Sequence, residues 1–363
     1  MEQILEAPAL KAGFSLGSTG DQYGKQVLTD AAGNVYLAGV FTGTVDFDPG
    51  TGVSNLTSTD PDGNIFVAKY SPTGALTWAR SVQMSLTFDS FADDVGVHLG
   101  LDTTGNVYLS GEYEGTAVFS PGGSGSITLV NSDTIPGSQH RDVFIGKLDS
   151  TGKFLWAGTI GSAGNNDFVD SMAVDPTTGN VSIAGAFAGT VDFDPGAGVA
   201  QVTASNGTFK GDGYILELDS VGAFKWVRNL GGASSEAFVG GLAYDNSQDL
   251  IATGSYKGTP DIDGQGTSTV LTQSNGGDDI FVAKYAGPAG SVLWSSVFGG
   301  PGDDRGNAVA VNSANEVFVT GEFSKAVRFD SSTPDFAVAA GGTDVFVMKL
   351  NNAGGFSRAT GFG

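Results

Sequence analysis

The stretch Asn34-Val35-Tyr36-Leu37-Ala38-Gly39 decides how this chain reads. Small, aromatic and β-branched residues alternate in it, which is the period-2 pattern of a strand. Versions of it return at 106–111, 180–185, 249–254 and 316–321. The closing glycines, Gly39, Gly111, Gly185, Gly254 and Gly321, lie 72, 74, 69 and 67 residues apart. A unit of about 70 residues is read five times, and such a period is the mark of stacked supersecondary units.

Outward from that strand, each unit reads as four strands, a to d. Strand a precedes the motif, at 25–29, 97–101, 170–174, 240–244 and 307–311. A turn such as Asp30-Ala31-Ala32-Gly33 joins it to strand b, the motif itself, through residues that favour turns or tolerate positive φ. Strand c follows at 65–70, 143–148, 213–218, 280–285 and 345–350. After a second turn (Ser71-Pro72-Thr73-Gly74 in the first unit), strand d carries Trp78, Trp156, Trp226 or Trp294, with Arg358 in the fifth unit. Turns this short mean antiparallel hairpins. The b–c connection is longer, and Phe47, Phe119, Phe193, Ile262 and Phe329 recur within it. Each such connection is expected to be pinned by one buried apolar side chain.

A small four-stranded sheet has two faces to bury, and stacking copies around an axis buries them. The expected fold is therefore all-β: a five-bladed β-propeller of four-stranded antiparallel blades. It would form a single domain over 1–363, with units at about 19–83, 84–161, 162–231, 232–299 and 300–363. A surplus strand at 10–18 resembles 156–162. It is expected to close the ring through the chain termini or extend the last blade. Pairing with a neighbouring molecule is the alternative, because an open edge is a template for another strand.

These residues also carry a resemblance. Gly33-Asn34-Val35-Tyr36-Leu37-Ala38-Gly39, then Gly43-Thr44-Val45-Asp46-Phe47-Asp48-Pro49-Gly50, then Asp279-Ile280-Phe281-Val282-Ala283-Lys284-Tyr285, then Leu293-Trp294 resemble the bacterial SBBP β-propeller repeats. The resemblance covers about 10–363. It implies a propeller in a secreted or cell-surface bacterial protein, often part of a longer chain, with no catalytic residues to carry over. That family's name refers to seven blades, so the count of five is not inherited from it.

Composition sets bounds on function. The 363 residues include 57 glycines, and 15% are charged. No apolar run is long enough to span a bilayer. Without cysteine there is no disulfide, thiolate metal site or cysteine nucleophile. A net charge of −22, from 39 acidic and 17 basic side chains, repels phosphate backbones and argues against nucleic acid. It suits cations, basic partners or plain solubility. Met1-Glu2-Gln3-Ile4-Leu5-Glu6 has neither a basic nor an apolar leader segment. An extracellular or bacterial cell-surface location therefore implies a signal peptide already removed.

Acidic residues recur before strand a: Asp21, Asp93, Asp167, Glu236 and Asp303. Others recur in the b–c connection, as Asp46 with Asp48, Asp192 with Asp194 and Asp261 with Asp263, and at the start of strand c, as Asp142, Asp212, Asp279 and Asp344. The d–a and b–c loops emerge on one face of an antiparallel meander, so these carboxylates should gather there. Gathered carboxylates are candidate calcium ligands. Equally, each one caps a turn by accepting backbone N–H groups, and repetition in every unit favours capping. His98 and His140 are the only histidines. His98, on the second strand a, is the single titratable group among its counterparts. No nucleophile elbow, phosphate loop or HExxH motif occurs. The expected function is non-catalytic: a scaffold, adhesion or self-assembly module acting through its edge strands. A glycan-binding propeller is the alternative. A glycosidase ranks last, since its paired carboxylates must converge across one bond.

Overall fold

The computed structural model describes residues 15–17, 20–85, 96–120, 125–133, 140–205, 211–232, 235–264, 271–272, 274–329 and 337–363. Along the chain the strands are β1 (Gln22–Thr29), β2 (Val35–Phe41), β3 (Thr44–Asp46), β4 (Asn55–Thr57), β5 (Asn64–Tyr70), β6 (Leu76–Ser85), β7 (Val97–Leu101), β8 (Val107–Phe119) and β9 (Ile127–Val130). Then come β10 (Asp142–Leu148), β11 (Phe154–Ile160), β12 (Ser171–Val174), β13 (Val181–Phe187), β14 (Thr190–Asp192), β15 (Gln201–Thr203), β16 (Asp212–Leu218) and β17 (Phe224–Gly232). The last are β18 (Ser235–Tyr244), β19 (Leu250–Lys257), β20 (Asp279–Tyr285), β21 (Val292–Phe298), β22 (Asp304–Val311), β23 (Val317–Val327), β24 (Ala337–Leu350) and β25 (Phe356–Phe362).

Hydrogen bonds join these strands into five separate sheets. A nine-stranded sheet runs β1-β2-β5-β6-β8-β10-β11, with β7 and β9 also on β8. An eight-stranded sheet runs β12-β13-β16-β17-β18-β19-β20-β21, and a four-stranded one β22-β23-β24-β25. The hairpins β3–β4 and β14–β15 stand apart as two-stranded sheets.

This arrangement corrects the expected propeller. The described strands do not form five alike blades, and no sheet closes into a ring. Long strands carry pairing across unit boundaries: β8 pairs with β6 through Val82↔Phe119, and β17 with β18 through Gly231↔Glu236. At the far end β25 pairs only with β24, among the described residues. The innermost strands pack in sequence, β1 on β7, β7 on β12, β12 on β18 and β18 on β22. No contact of similar extent leads from β22 back to β1. The surplus strand expected at 10–18 falls mostly outside the described residues, and Ser15 to Gly17 belong to no strand.

Locally, the opening motif explains itself. A Cβ on Gly39, Gly185, Gly254 or Gly321 would overlap the carbonyl oxygen of Tyr23, Phe168, Phe238 or Arg305 on the neighbouring segment, and one on Gly111 would press on Gly96 O at 2.8 Å. The same Cβ would touch a phenyl edge of Phe66, Phe144, Phe281 or Phe346 in four of the five. Close approach of two backbones is what demands glycine here. Phe47, Phe119, Phe193, Ile262 and Phe329 are all buried, one in each b–c connection.

Consecutive units are latched by tryptophan. The indole N–H of Trp78 donates to Ser150 O at 3.1 Å, Trp156 to Ser220 O at 3.3 Å, Trp226 to Gly287 O at 3.1 Å and Trp294 to Asn352 O at 3.0 Å. In each case the acceptor lies in the c–d turn of the next unit. The indoles rest on Gly152, Gly222, Gly290 and Gly354, all at positive φ, where a Cβ would strike the ring.

Candidate functional site

A cleft of about 650 Å³ opens over the inner strands. Phe168 and Asp170 border it just before β12, and Glu236, Phe238, Val239 and Gly240 supply the β18 wall. Ser255 and Lys257 come from β19, Asp278 from the residue before β20, and Asp303, Arg305 and Asn307 from the start of β22. Glycine lets the walls come this close: a Cβ on Gly240 would overlap Gly306 O.

Four carboxylates and two cations line this space, and several are already engaged. Arg305 Nη2 lies 3.3 Å from Asp278 Oδ2. Asp303 accepts the Asp278 N–H at 3.2 Å, and its own N–H donates to Ser324 Oγ at 2.7 Å. Glu236 and Lys257 are cross-strand partners. Tyr214 Oη donates to Phe168 O at 3.0 Å and so holds that segment. Solvent reaches Asp170, yet the cleft walls crowd it and push its carboxyl up to about 6.

Behind Asp170 lies a buried cluster. Glu112 accepts the Val169 N–H at 3.1 Å and faces Arg141 Nη1 at 3.3 Å. Burial nevertheless outweighs both partners and pushes its carboxyl up to about 8. His98 Nε2 meets Val169 O at 3.1 Å, and its pKa is lowered by burial. Donating to this carbonyl, the imidazole ties β7 to the segment just before β12.

Of the acids singled out from sequence, Glu236 and Asp303 reach the cleft. Asp21 is exposed, bound through its backbone to Thr42. Asp93 lies outside the described residues. Asp167 is buried and accepts the Ser162 N–H at 2.7 Å, with its carboxyl pushed up to about 7 by burial. Asp46 accepts Asp48 N–H and Ser54 N–H at 3.0 and 2.8 Å, and Asp48 accepts Gly50 N–H at 2.8 Å. Asp192 and Asp194 repeat this against Asp194, Ala200 and Gly196. Among the described residues no group of three or more His, Asp or Glu side chains is placed to hold a metal ion.

One feature of the acids was not legible from spacing alone. The strand-opening acids hold the preceding loop: Ser132 N–H and Ser205 N–H donate to Asp142 and Asp212 at 2.7 Å, and Asn275 N–H to Asp279 at 2.9 Å. Asp142 then faces Asp167 of the next unit, and Asp279 faces Asp304, each raising its neighbour's pKa on top of burial. Asp304, not Asp303, is thus the counterpart of Asp167. Ending Asn165-Asn166-Asp167 level with Gly302-Asp303-Asp304 would have shown it. Glu217, the acid at a position held by lysine elsewhere, is buried and paired with Lys225 and Tyr244 Oη.

No family model matches this chain, so the resemblance to SBBP repeats is corrected: it does not establish membership. Over 268 residues the chain is 26% identical to the uncharacterized WD repeat-containing protein L264 of Acanthamoeba polyphaga mimivirus, covering 68% of this chain and 19% of that protein. Over 268 residues it is 23% identical to the adhesin BmaC autotransporter of Brucella suis biovar 1 (strain 1330), covering 71% of this chain and 8% of the adhesin. The chain thus spans less than a fifth of the length of either relative. Among solved structures a glucose dehydrogenase aligns with 83% of this chain and 78% of its own, at 10% identity and a TM-score of 0.34. At that score the likeness says nothing about fold or activity. Among the described residues no helix is long and apolar enough to cross a membrane.

Proposed function

We propose that this chain is a non-catalytic interaction module of a surface-exposed or extracellular protein, adhesive or scaffolding in kind, and that a partner docks in the acidic cleft. The observation that carries this reading is the commitment of the acids. Those in the fold's interior accept loop N–H groups or face each other across unit junctions. Those at the cleft are spread along its rim, where Asp278 pairs with Arg305 and Glu236 lies opposite Lys257 in strand register. Neither arrangement is the convergent pair that acid–base chemistry on one bond requires. The distant similarity to an adhesin supports the same reading.

With Asp170, Glu236, Asp278 and Asp303 set against Lys257 and Arg305, the cleft favours a cationic partner such as a basic peptide segment. Titration calorimetry with a lysine-rich peptide tests this: binding that weakens in high salt and is lost in Glu236→Gln with Asp303→Asn is expected. Equal binding by that double variant would overturn it. A second reading, glycan recognition, rests on Phe168 and Phe238, two part-exposed rings beside carboxylates. A glycan array distinguishes the two, because sugar binding would depend on Phe238 and change little with salt.

A further inference from the structure

We infer that the chain associates head to tail with a second copy of itself, the outer face of the last sheet covering the outer face of the first unit. This is independent of what the cleft holds. It rests on a contact that the molecule already makes four times.

In the first four units the paired strands c and d present one apolar face to the unit that follows. Its positions are set by register: Ile65↔Val82, Val143↔Ile160, Gly213↔Leu230 and Ile280↔Phe298, with Val67, Ile145, Ile215 and Val282 two places along strand c. Gly213 is buried, and every other residue of the set is at most 8% exposed. The first such face, Ile65, Val67 and Val82, packs with Val97, Leu99, Val107 and Leu109 of the next unit.

The fifth unit presents the same face in the same register, Val345↔Phe362 with Val347. Here the side chains are 50%, 57% and 41% exposed. The opposite half of the contact is also on this chain. Val27 holds the place of Leu99 and Leu242, while Val35 and Leu37 hold those of Val107 and Leu109. Val27 is 60% exposed, and Val35 and Leu37 are half-buried. Both halves of a fifth contact therefore exist, and among the described residues they do not meet within the chain, since no strand of the last sheet packs on β1 to the extent seen at the other junctions.

The occupant that fits best is a second copy, because the first unit is the surface whose apolar positions match those the other four faces already cover. Arg358, exposed and bonded in register to Lys349, stands where tryptophan stands in the other units. In the proposed contact its guanidinium would bring N–H donors to the c–d turn of the second copy's first unit; Arg80, two residues beyond Trp78, makes such a bond to Gly152 O at 2.8 Å. A contact between two different faces is heterologous, so copies add until they close into a ring or continue as a filament. The net charge of −22 opposes this at low ionic strength, so salt should promote it.

The test uses two variants of the full chain, Val347→Asp and Val27→Asp, with light scattering after size exclusion over a wide concentration range. Both sites are exposed, so both variants should melt like the wild type. The wild type should grow with concentration, and each variant alone should stay monomeric, weakened by about tenfold or more. An equimolar mixture should form dimers and stop there, because each variant retains the face that the other has lost. A wild type that remains monomeric overturns the inference, as do variants that associate like the wild type or a mixture that forms no dimers.

Discussion

The interior junctions and the two ends of this molecule carry apolar side chains at matching register positions, and they differ in how far those side chains are covered. At the first junction Val67 lies under Val107 and Leu109, fully buried. In the fifth unit its counterpart Val347 is 41% exposed. Where a valine or isoleucine is covered, burial contributes about 1.5–3 kcal/mol; where it is not, the same side chain contributes little. Stability in this chain therefore belongs to junctions between neighbours, not to strands taken one at a time.

The largest effect that could break this comparison concerns the latch. Trp226→Ala removes an indole seated on Gly290 and bonded to Gly287 O, and should lower stability by about 3–5 kcal/mol. Arg358→Ala, at the same register position in the last unit, should change it by less than about 0.5 kcal/mol. Urea unfolding measures both, and equal losses would erase the distinction. Next, Ile145→Ala should cost about 2–5 kcal/mol, while Val347→Ala should stay within about 0.5 kcal/mol.

A third effect comes from the interior carboxylates. Asp142, Asp167, Asp304 and Glu112 are held up by burial, to about 6, 7, 7 and 8. Their folded pKa values lie above the unfolded ones, so the folded chain binds protons more tightly across this window. Stability is fully present near pH 4 and falls as pH rises through about 6 to 8. The melting temperature should accordingly be higher at pH 5 than at pH 8, and Asp167→Asn should flatten the slope. A melting temperature that climbs over that interval would contradict the assignment. The smallest effect expected is that of calcium. Asp46, Asp48, Asp192 and Asp194 already accept loop N–H groups, so adding calcium or a chelator should leave the melting temperature unchanged.

Much of this was legible in the residues. Strand c, read at 143–148, is β10 (Asp142–Leu148), and the glycine that closes each motif is explained by one carbonyl pressing against it. The closed ring read from the repeat was wrong, and the reason is geometric. Recurrence says that neighbouring units meet through like faces, but it is silent on the angle by which each turns from the last. Nor does it show that β8 runs 13 residues and reaches back to β6. In the candidate site, Glu236 and Asp303 were found by spacing, whereas Phe238, Asp278 and Arg305 were not, because they share the cleft only once β18, β20 and β22 lie together. His98 drew notice as the lone titratable group among its counterparts, and turned out to serve as a strut to Val169.

Among the described residues the hairpins β3–β4 and β14–β15 pair with no other strand. Each is held by its own aspartates and by one phenyl ring, Phe47 or Phe193, sunk in the core. Their tips, around Val53 and Val199, are 75% and 76% exposed. Sequence at those tips is free to diversify without disturbing any junction, which makes them natural grafting points. A foreign loop inserted between Gly50 and Val53 would be displayed on an unaltered frame.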